Sequence, residues 1–143
     1  MWKAGETLGP FALPITRELL VRYAGASGDY NPIHYDDDYA RSLGLPGVIA
    51  HGMLIMGLAV GAIRQTAPLG SRLEQYGVRF RAVVEPNQTL QVWGSIASVE
   101  PYDGDWRAVI DVRVLGSGEA PAVTGRAVLA WTFGEGQNDR VVQ

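Results

Sequence analysis

The run Met53-Leu54-Ile55-Met56-Gly57-Leu58-Ala59-Val60-Gly61-Ala62-Ile63 carries no polar side chain on any face. It is too short to cross a bilayer, which takes about 20 apolar residues. A helix of this kind has to be covered by the rest of its own chain on most faces. With 143 residues, a single domain must do the covering. Gly57 and Gly61 lie four residues apart, a spacing that lets a neighbouring backbone come close, and they are expected to pack against a sheet.

The sequence after the run supplies that sheet. Tyr76, Val78, Phe80 and Ala82 alternate with Gly77, Arg79 and Arg81, the period of a strand with one face inward. Leu90, Val92, Gly94 and Ile96 repeat the pattern after the turn at Pro86-Asn87. Trp106, Ala108, Ile110, Val112 and Val114 repeat it again after Asp103-Gly104, a two-residue hairpin signal. A last strand is expected from Val123 to Phe133. Helical segments precede this strand-rich half, an order that indicates an α+β domain rather than alternating βαβ units. The simplest arrangement wraps an antiparallel sheet around the apolar helix. Residues 1–134 form the expected domain, and 135–143 a polar, frayed tail.

The first half starts with an extended stretch from Leu8 to Leu13. Thr16 is positioned to cap a helix, with Ile15 and Leu20 at the spacing of a hydrophobic staple. Gly25 and Gly28 end that helix. Ser27 to Tyr35, broken by Pro32, reads as a loop. Asp36, Asp37 and Asp38 open a second short helix at its positive end, and Gly44 followed by Pro46 closes it.

Charge and composition exclude several classes. The formal net charge is −3, with no basic stripe of the kind nucleic-acid binders show. Cysteine is absent, which rules out disulfides and thiolate metal sites and fits a reducing cytoplasm. The first residues lack the basic-then-apolar pattern of a signal peptide, and no membrane association is expected.

The chemistry-bearing residues lie just before the apolar helix. The only histidines are His34 and His51. His34 follows Asp29 within Ser27-Gly28-Asp29-Tyr30-Asn31-Pro32-Ile33-His34. A carboxyl and an imidazole held together can divide two proton transfers, and removing water from a 3-hydroxyacyl thioester needs two: one from C2, one to the departing C3 hydroxyl. Gly52 begins the apolar helix, where backbone N–H groups have no intrahelical partner. Without a side chain, its amide is open to the thioester oxygen that gains charge as C2 is deprotonated. Each residue also has a plainer role. Asp29 and Asn31 suit turns or caps, and His34 and His51 suit hydrogen-bonded niches in the core.

The stretch Tyr23-Ala24-Gly25-Ala26-Ser27-Gly28-Asp29-Tyr30-Asn31-Pro32-Ile33-His34-Tyr35-Asp36, followed by Gly44, Ile49 and His51-Gly52-Met53-Leu54, closely resembles the signature of the MaoC-like, (R)-specific enoyl-CoA hydratase family. The chain has the length of a single-domain member and looks similar to the catalytic subunit of actinobacterial (3R)-hydroxyacyl-ACP dehydratases. The resemblance implies a hot-dog fold, a long helix wrapped by an antiparallel sheet. It implies Asp29 and His34 as catalytic residues and the Gly52 amide on the thioester carbonyl, with Asn31, Ser27 and His51 in support. It also implies no metal or organic cofactor, and R-configured thioesters on CoA or acyl carrier protein as substrates. In one respect the chain departs from the pattern. Some members carry a hydroxyl residue in the middle of the buried helix, where Leu58 to Gly61 are apolar here.

Three functions compete. The leading one is reversible hydration of trans-2-enoyl thioesters. The second keeps the fold and hydrolyses the thioester. The third is a thioester-binding subunit active only with a partner; hot-dog relatives usually pair, so a homodimer is expected, with a heterodimer as the alternative. Two histidines and the Asp36–Asp38 run are a poor set for zinc. Arg64, Arg72, Arg79 and Arg81 are candidates to meet carrier phosphates, or are merely solvated. Tyr30, Tyr35, Trp93 and Trp131 are expected as buried bulk near an acyl tunnel.

Overall fold

A computed structural model describes residues 1–132. Phe133 and the expected tail at 135–143 lie outside the described residues.

The elements run β1 (Thr7–Ile15), α1 (Arg17–Ser27), a 3-10 turn (Pro32–His34), α2 (Asp37–Ser42), α3 (Gly52–Arg64), β2 (Arg72–Phe80), β3 (Gln88–Tyr102), β4 (Asp105–Leu115) and β5 (Val123–Thr132). The five strands form one sheet in the order β1-β3-β4-β5-β2, every pair antiparallel. β1 and β2 are therefore its edges. The β3–β4 hairpin turns on Asp103 and Gly104, both at positive φ (50° and 81°), as a two-residue loop between twisted strands requires.

The inner face follows the alternation in the sequence. Leu90, Val92 and Ile96 of β3, Ala108, Ile110, Val112 and Val114 of β4, and Ala127 and Leu129 of β5 are buried in one cluster with Leu54, Ile55, Ala59 and Ile63 of α3. Fully burying one of the Val, Leu or Ile side chains stabilises the fold by roughly 1.5–3 kcal/mol. Gly94 leaves little room on this face: a Cβ there would lie 3.1 Å from Ile110 and 3.3 Å from Leu8, tight contacts that those side chains would have to ease.

α3 is not covered on all sides. Met53 is 61% exposed, and Gly57 and Gly61 have no atom within 4 Å of where a Cβ would stand. The expectation that these glycines pack against the sheet is thus corrected. A single sheet covers one side of a helix, and its inner face takes up Leu54, Ile55, Ala59, Val60 and Ile63. Gly57 and Gly61 fall outside this covered face.

The first half holds the loop between α1 and α2 in place. Thr16 caps α1 by accepting from the Leu19 amide (3.1 Å). Ile15 and Leu20 beside it are buried, as the staple spacing predicts. α1 runs through Gly25 and ends at Gly28, whose φ of 74° is left-handed. Asp36 caps α2 through the Tyr39 amide (3.0 Å). Asp37 then reaches forward to accept from the Val48 amide (2.9 Å) and pairs with Arg17 (2.7 Å). That bond and the Arg17 guanidinium hold its carboxyl below the usual range, against a smaller cost of burial. The short α2 is thereby tied both to α1 and to the segment entering α3.

Candidate active site

The loop carrying Asp29 and His34 is shaped by its own side chains. The Ser27 hydroxyl donates to the Tyr23 carbonyl (2.7 Å) and accepts from the Asp29 amide (3.1 Å). Asp29 accepts from the Asn31 amide (3.3 Å), and Asn31 from the Ile33 amide (3.2 Å). Consecutive turns of this kind are what Asp and Asn before a Pro favour. Ser27 and Asn31 thus act on backbone, fixing where Asp29 and His34 stand.

The segment before α3 closes the site. The Ile49 amide donates to the Ile33 carbonyl (3.1 Å) and the Ala50 amide to the Val84 carbonyl (2.7 Å). Residues 49–50 therefore lie between the 3-10 turn and the loop that joins β2 to β3. His34 Nδ1 is 2.7 Å from the Ile49 carbonyl oxygen. A carbonyl only accepts, so Nδ1 carries the proton, and in the neutral ring Nε2 holds a bare lone pair. That nitrogen is 3.8 Å from Asp29 Oδ2, too long for a direct hydrogen bond. Such pairs often tighten only once substrate is bound.

His51 is the most buried polar residue of the site, 1% exposed. It stacks on His34 with ring centroids 3.7 Å apart and planes 22° apart, and Tyr23 meets it edge-on at 4.9 Å. Its Nε2 lies 3.2 Å from the Asp29 carbonyl oxygen and donates to it. Nδ1 is then a bare acceptor, buried and without a partner. A second proton would have to sit there with nothing to receive it, against a neighbouring imidazole. Burial lowers the affinity of His51 for that proton, and His34 lowers it further, opposed by the bond to the Asp29 carbonyl.

A pH dependence of stability follows. Between the depressed folded-state value and the ordinary 6.5, the unfolded chain binds a proton that the folded chain does not. The stabilisation from neutral His51 is therefore complete above about pH 6.5 and is lost as pH falls toward the folded-state value. His51→Gln keeps a donor near the Asp29 carbonyl but does not titrate. The melting temperature of the wild type is expected to fall more steeply from about pH 7 to pH 5 than that of this variant. Parallel curves would show that His51 does not contribute this term.

Asp29, His34 and His51 each place one ligand atom within 4.8 Å of the others, but the geometry does not fit a metal. Imidazole binds a metal in the plane of its ring, at about 2.0–2.1 Å for zinc. Two rings stacked face to face direct their lone pairs along nearly parallel planes. No single ion lies in both.

The cavity beside His34 has a volume of about 370 Å³. Its wall includes His34, Ile49, Ala50, Gly52 and Ile55, and, from the strand half, Phe80 to Val84 and Val123. His34 and the start of α3 therefore face one space. Gly52 is the first residue of α3, so its N–H has no partner within the helix. A Cβ on Gly52 would come to 3.0 Å from the Phe80 ring. Asp29 is not part of this wall; it reaches the cavity through His34, with half of its side chain in solvent. Ser27, Asn31 and His51 stand behind these groups. Tyr30 and Tyr35 are exposed rather than buried, because the tight turns of the loop point them outward. Trp131 is buried, but against Trp2 (6.2 Å, edge-on) and away from this wall.

Tyr23, the Ile49 carbonyl and Phe80 had no role assigned from sequence. Ile49 acts through its backbone, which leaves no side-chain signal. Phe80 was legible only as an inward position of a strand.

Comparisons with known proteins address the family and the fold. The MaoC like domain matches residues 3–115. The fatty acid synthase beta subunit TOXC of Cochliobolus carbonum is 32% identical over 119 residues, 76% of this chain and 6% of that protein. The peroxisomal enoyl-CoA hydratase 2 of Arabidopsis thaliana is 37% identical over 47% of this chain and 23% of its own length. The 3-hydroxyacyl-thioester dehydratase X of Mycobacterium tuberculosis is 36% identical over 66% of this chain and 31% of its own. The chain thus spans less than a third of each of these relatives. Among solved structures, the (R)-hydratase of A. caviae involved in PHA biosynthesis superposes with a TM-score of 0.81 at 25% identity, covering 90% of this chain and 96% of that one. The R-hydratase PhaJ1 of Pseudomonas aeruginosa gives a TM-score of 0.80 at 26% identity, covering 94% and 89%. A family match across most of the chain, and a sheet-and-helix architecture shared almost end to end with (R)-hydratase structures, make this chain a hot-dog-fold member of the MaoC-like dehydratase domain family.

Proposed function

We propose that this chain catalyses the reversible addition of water to trans-2-enoyl thioesters, giving (3R)-3-hydroxyacyl thioesters. The observation that carries the reading is that His34, whose Nδ1 is taken by the Ile49 carbonyl, lines one cavity with Gly52, the first residue of α3, and has Asp29 beside it. In the dehydration direction, His34 Nε2 takes the C2 proton. The thioester oxygen gains negative charge and is met by the Gly52 N–H at the positive end of the helix. The C3–O bond then breaks as Asp29, in its acid form, protonates the departing hydroxyl, and water leaves. Hydration runs these transfers backward: Asp29 takes a proton from water and His34 delivers one to C2. No step needs a metal or an organic cofactor. The R configuration and coenzyme A as carrier are drawn from the names of the relatives, and acyl carrier protein as the alternative from the sequence resemblance.

Pairing with a second hot-dog subunit, identical or related, belongs to the same reading. It would cover the open stripe of α3 at Met53, Gly57 and Gly61 and the free edge of β2. A cytoplasmic location fits the absence of cysteine; among the described residues, no helix is long and apolar enough to cross a membrane.

The test mixes the protein with crotonyl-CoA and follows two signals. The conjugated enoyl absorbance is expected to fall while a thiol reagent detects no release of CoA. Thiol release in step with substrate loss would instead establish a thioesterase, and no change in either signal would count against the proposal.

A further inference from the structure

The outer face of the sheet carries a second concavity, of about 510 Å³, lined by Gly77, Arg79, Arg81, Thr124, Arg126 and Asp111 among others. We propose that this cationic groove binds the phosphates of coenzyme A and so makes the free coenzyme, rather than a carrier protein, the preferred thioester carrier. The inference rests on the hydratase reading for its substrate class.

Three observations support it. The first is charge. Three guanidiniums face one carboxylate here, on a chain whose formal net charge is −3. Arg126 is paired with Asp111 (2.7 Å). Arg81 makes only a long contact with the Thr124 hydroxyl (3.4 Å). Arg79 has no partner among the described residues. Two of the three cations are therefore available to an incoming anion, and the third needs only to exchange an exposed carboxylate. By contrast, Arg72 is already held by Glu74 and Asp105, and is no candidate.

The second is continuity. Arg81 lines both this groove and the cavity that holds His34 and Gly52. One extended ligand can therefore place its thioester at His34 and its polar end on the outer face, passing the half-exposed Phe80. The third is shape. Arg79 and Arg126 project from neighbouring strands, paired as Arg79 with Thr124 and Gly77 with Arg126. Gly77 puts no side chain between them, and a Cβ there would meet nothing within 4 Å. The result is a compact, concave cluster of cations. Coenzyme A presents a diphosphate and a ribose phosphate in a small volume, which suits such a cluster. A carrier protein brings one phosphate and an acidic face spread over a wide area. Guanidinium pairs well with phosphate oxygens through forked hydrogen bonds.

The experiment measures coenzyme A binding by calorimetry for the wild type and for Arg79→Glu/Arg126→Glu, with Arg79→Glu alone as a second variant, since Arg79 supports no contact in the fold. The double variant is expected to bind at least about tenfold more weakly, and added salt to weaken wild-type binding. In parallel, kcat/KM is measured for crotonyl-CoA and for crotonyl-pantetheine, which lacks phosphate. The wild type is expected to prefer the coenzyme ester about tenfold or more, and the variants to lose most of that preference. Equal coenzyme A binding by wild type and both variants overturns the proposal. So does a wild type that binds acyl carrier protein but not coenzyme A, which would make this face a protein-docking surface. If the wild type hydrates neither ester but binds coenzyme A in a manner sensitive to Arg79, the hydratase reading fails while the groove stands.

Discussion

Replacing His34 with asparagine is expected to lower kcat/KM for crotonyl-CoA by about 10²–10⁴-fold, the usual contribution of a positioned base. Asparagine is the informative choice because of the bond to the Ile49 carbonyl. Its side-chain amide can still donate there from a position close to that of Nδ1, but it has nothing where Nε2 stood. The segment leading into α3 should keep its place, and the thermal midpoint should move little. His34→Ala removes both nitrogens and is expected to lose the same activity together with some stability. Near wild-type turnover in the asparagine variant would show that no base is needed at Nε2.

The second large effect is expected at Gly52. Proline at the first position of a helix removes the amide proton while its fixed φ suits a helix start. The preceding residue must then be extended, and His51 already is, at φ −61° and ψ 127°. Gly52→Pro should therefore preserve α3 and delete one donor to the thioester oxygen, a loss of about 10²–10³ in kcat. Gly52→Ala is the control for bulk, because its Cβ also meets Phe80 at 3.0 Å but its N–H remains. A drop confined to proline assigns the effect to the donor. Equal drops in both variants would assign it to crowding by Phe80.

The fold was legible wherever burial and turn chemistry write themselves into residue type. The inward faces of β3 and β4 follow the alternation from Leu90 to Ile96 and from Ala108 to Val114, and the caps at Thr16 and Asp36 follow from their hydroxyl and carboxylate. α3 was legible as a helix but not in how it sits. Its apolar run cannot distinguish a helix covered by its own sheet on all sides from one that leaves Gly57 and Gly61 open, because glycine is compatible with both.

The site was legible in its residues and less so in its relations. Asp29, His34 and Gly52 stand out as a carboxyl, an imidazole and a bare amide near one another in sequence. The stacking of His34 on His51 accompanies the meeting of two segments through the Ile49 backbone, its amide on the Ile33 carbonyl and its carbonyl on His34 Nδ1, which no local pattern announces. The plainer readings also proved true of some residues: Asn31 caps a turn, and Asp29 does so while presenting its other oxygen to His34. Structural and chemical roles coincide in this loop, so neither could be argued from type alone.

The most direct test of the account is the product formed from crotonyl-CoA in deuterium oxide. Proton delivery to C2 and hydroxide addition to C3 at one site predict a single enantiomer of 3-hydroxybutyryl-CoA carrying deuterium at C2, the 3R form on the proposed reading, with formation about 10²–10⁴-fold slower in Asp29→Asn and the His34 variant than in the wild type. A racemic or 3S product, or undiminished formation by either variant, would contradict it.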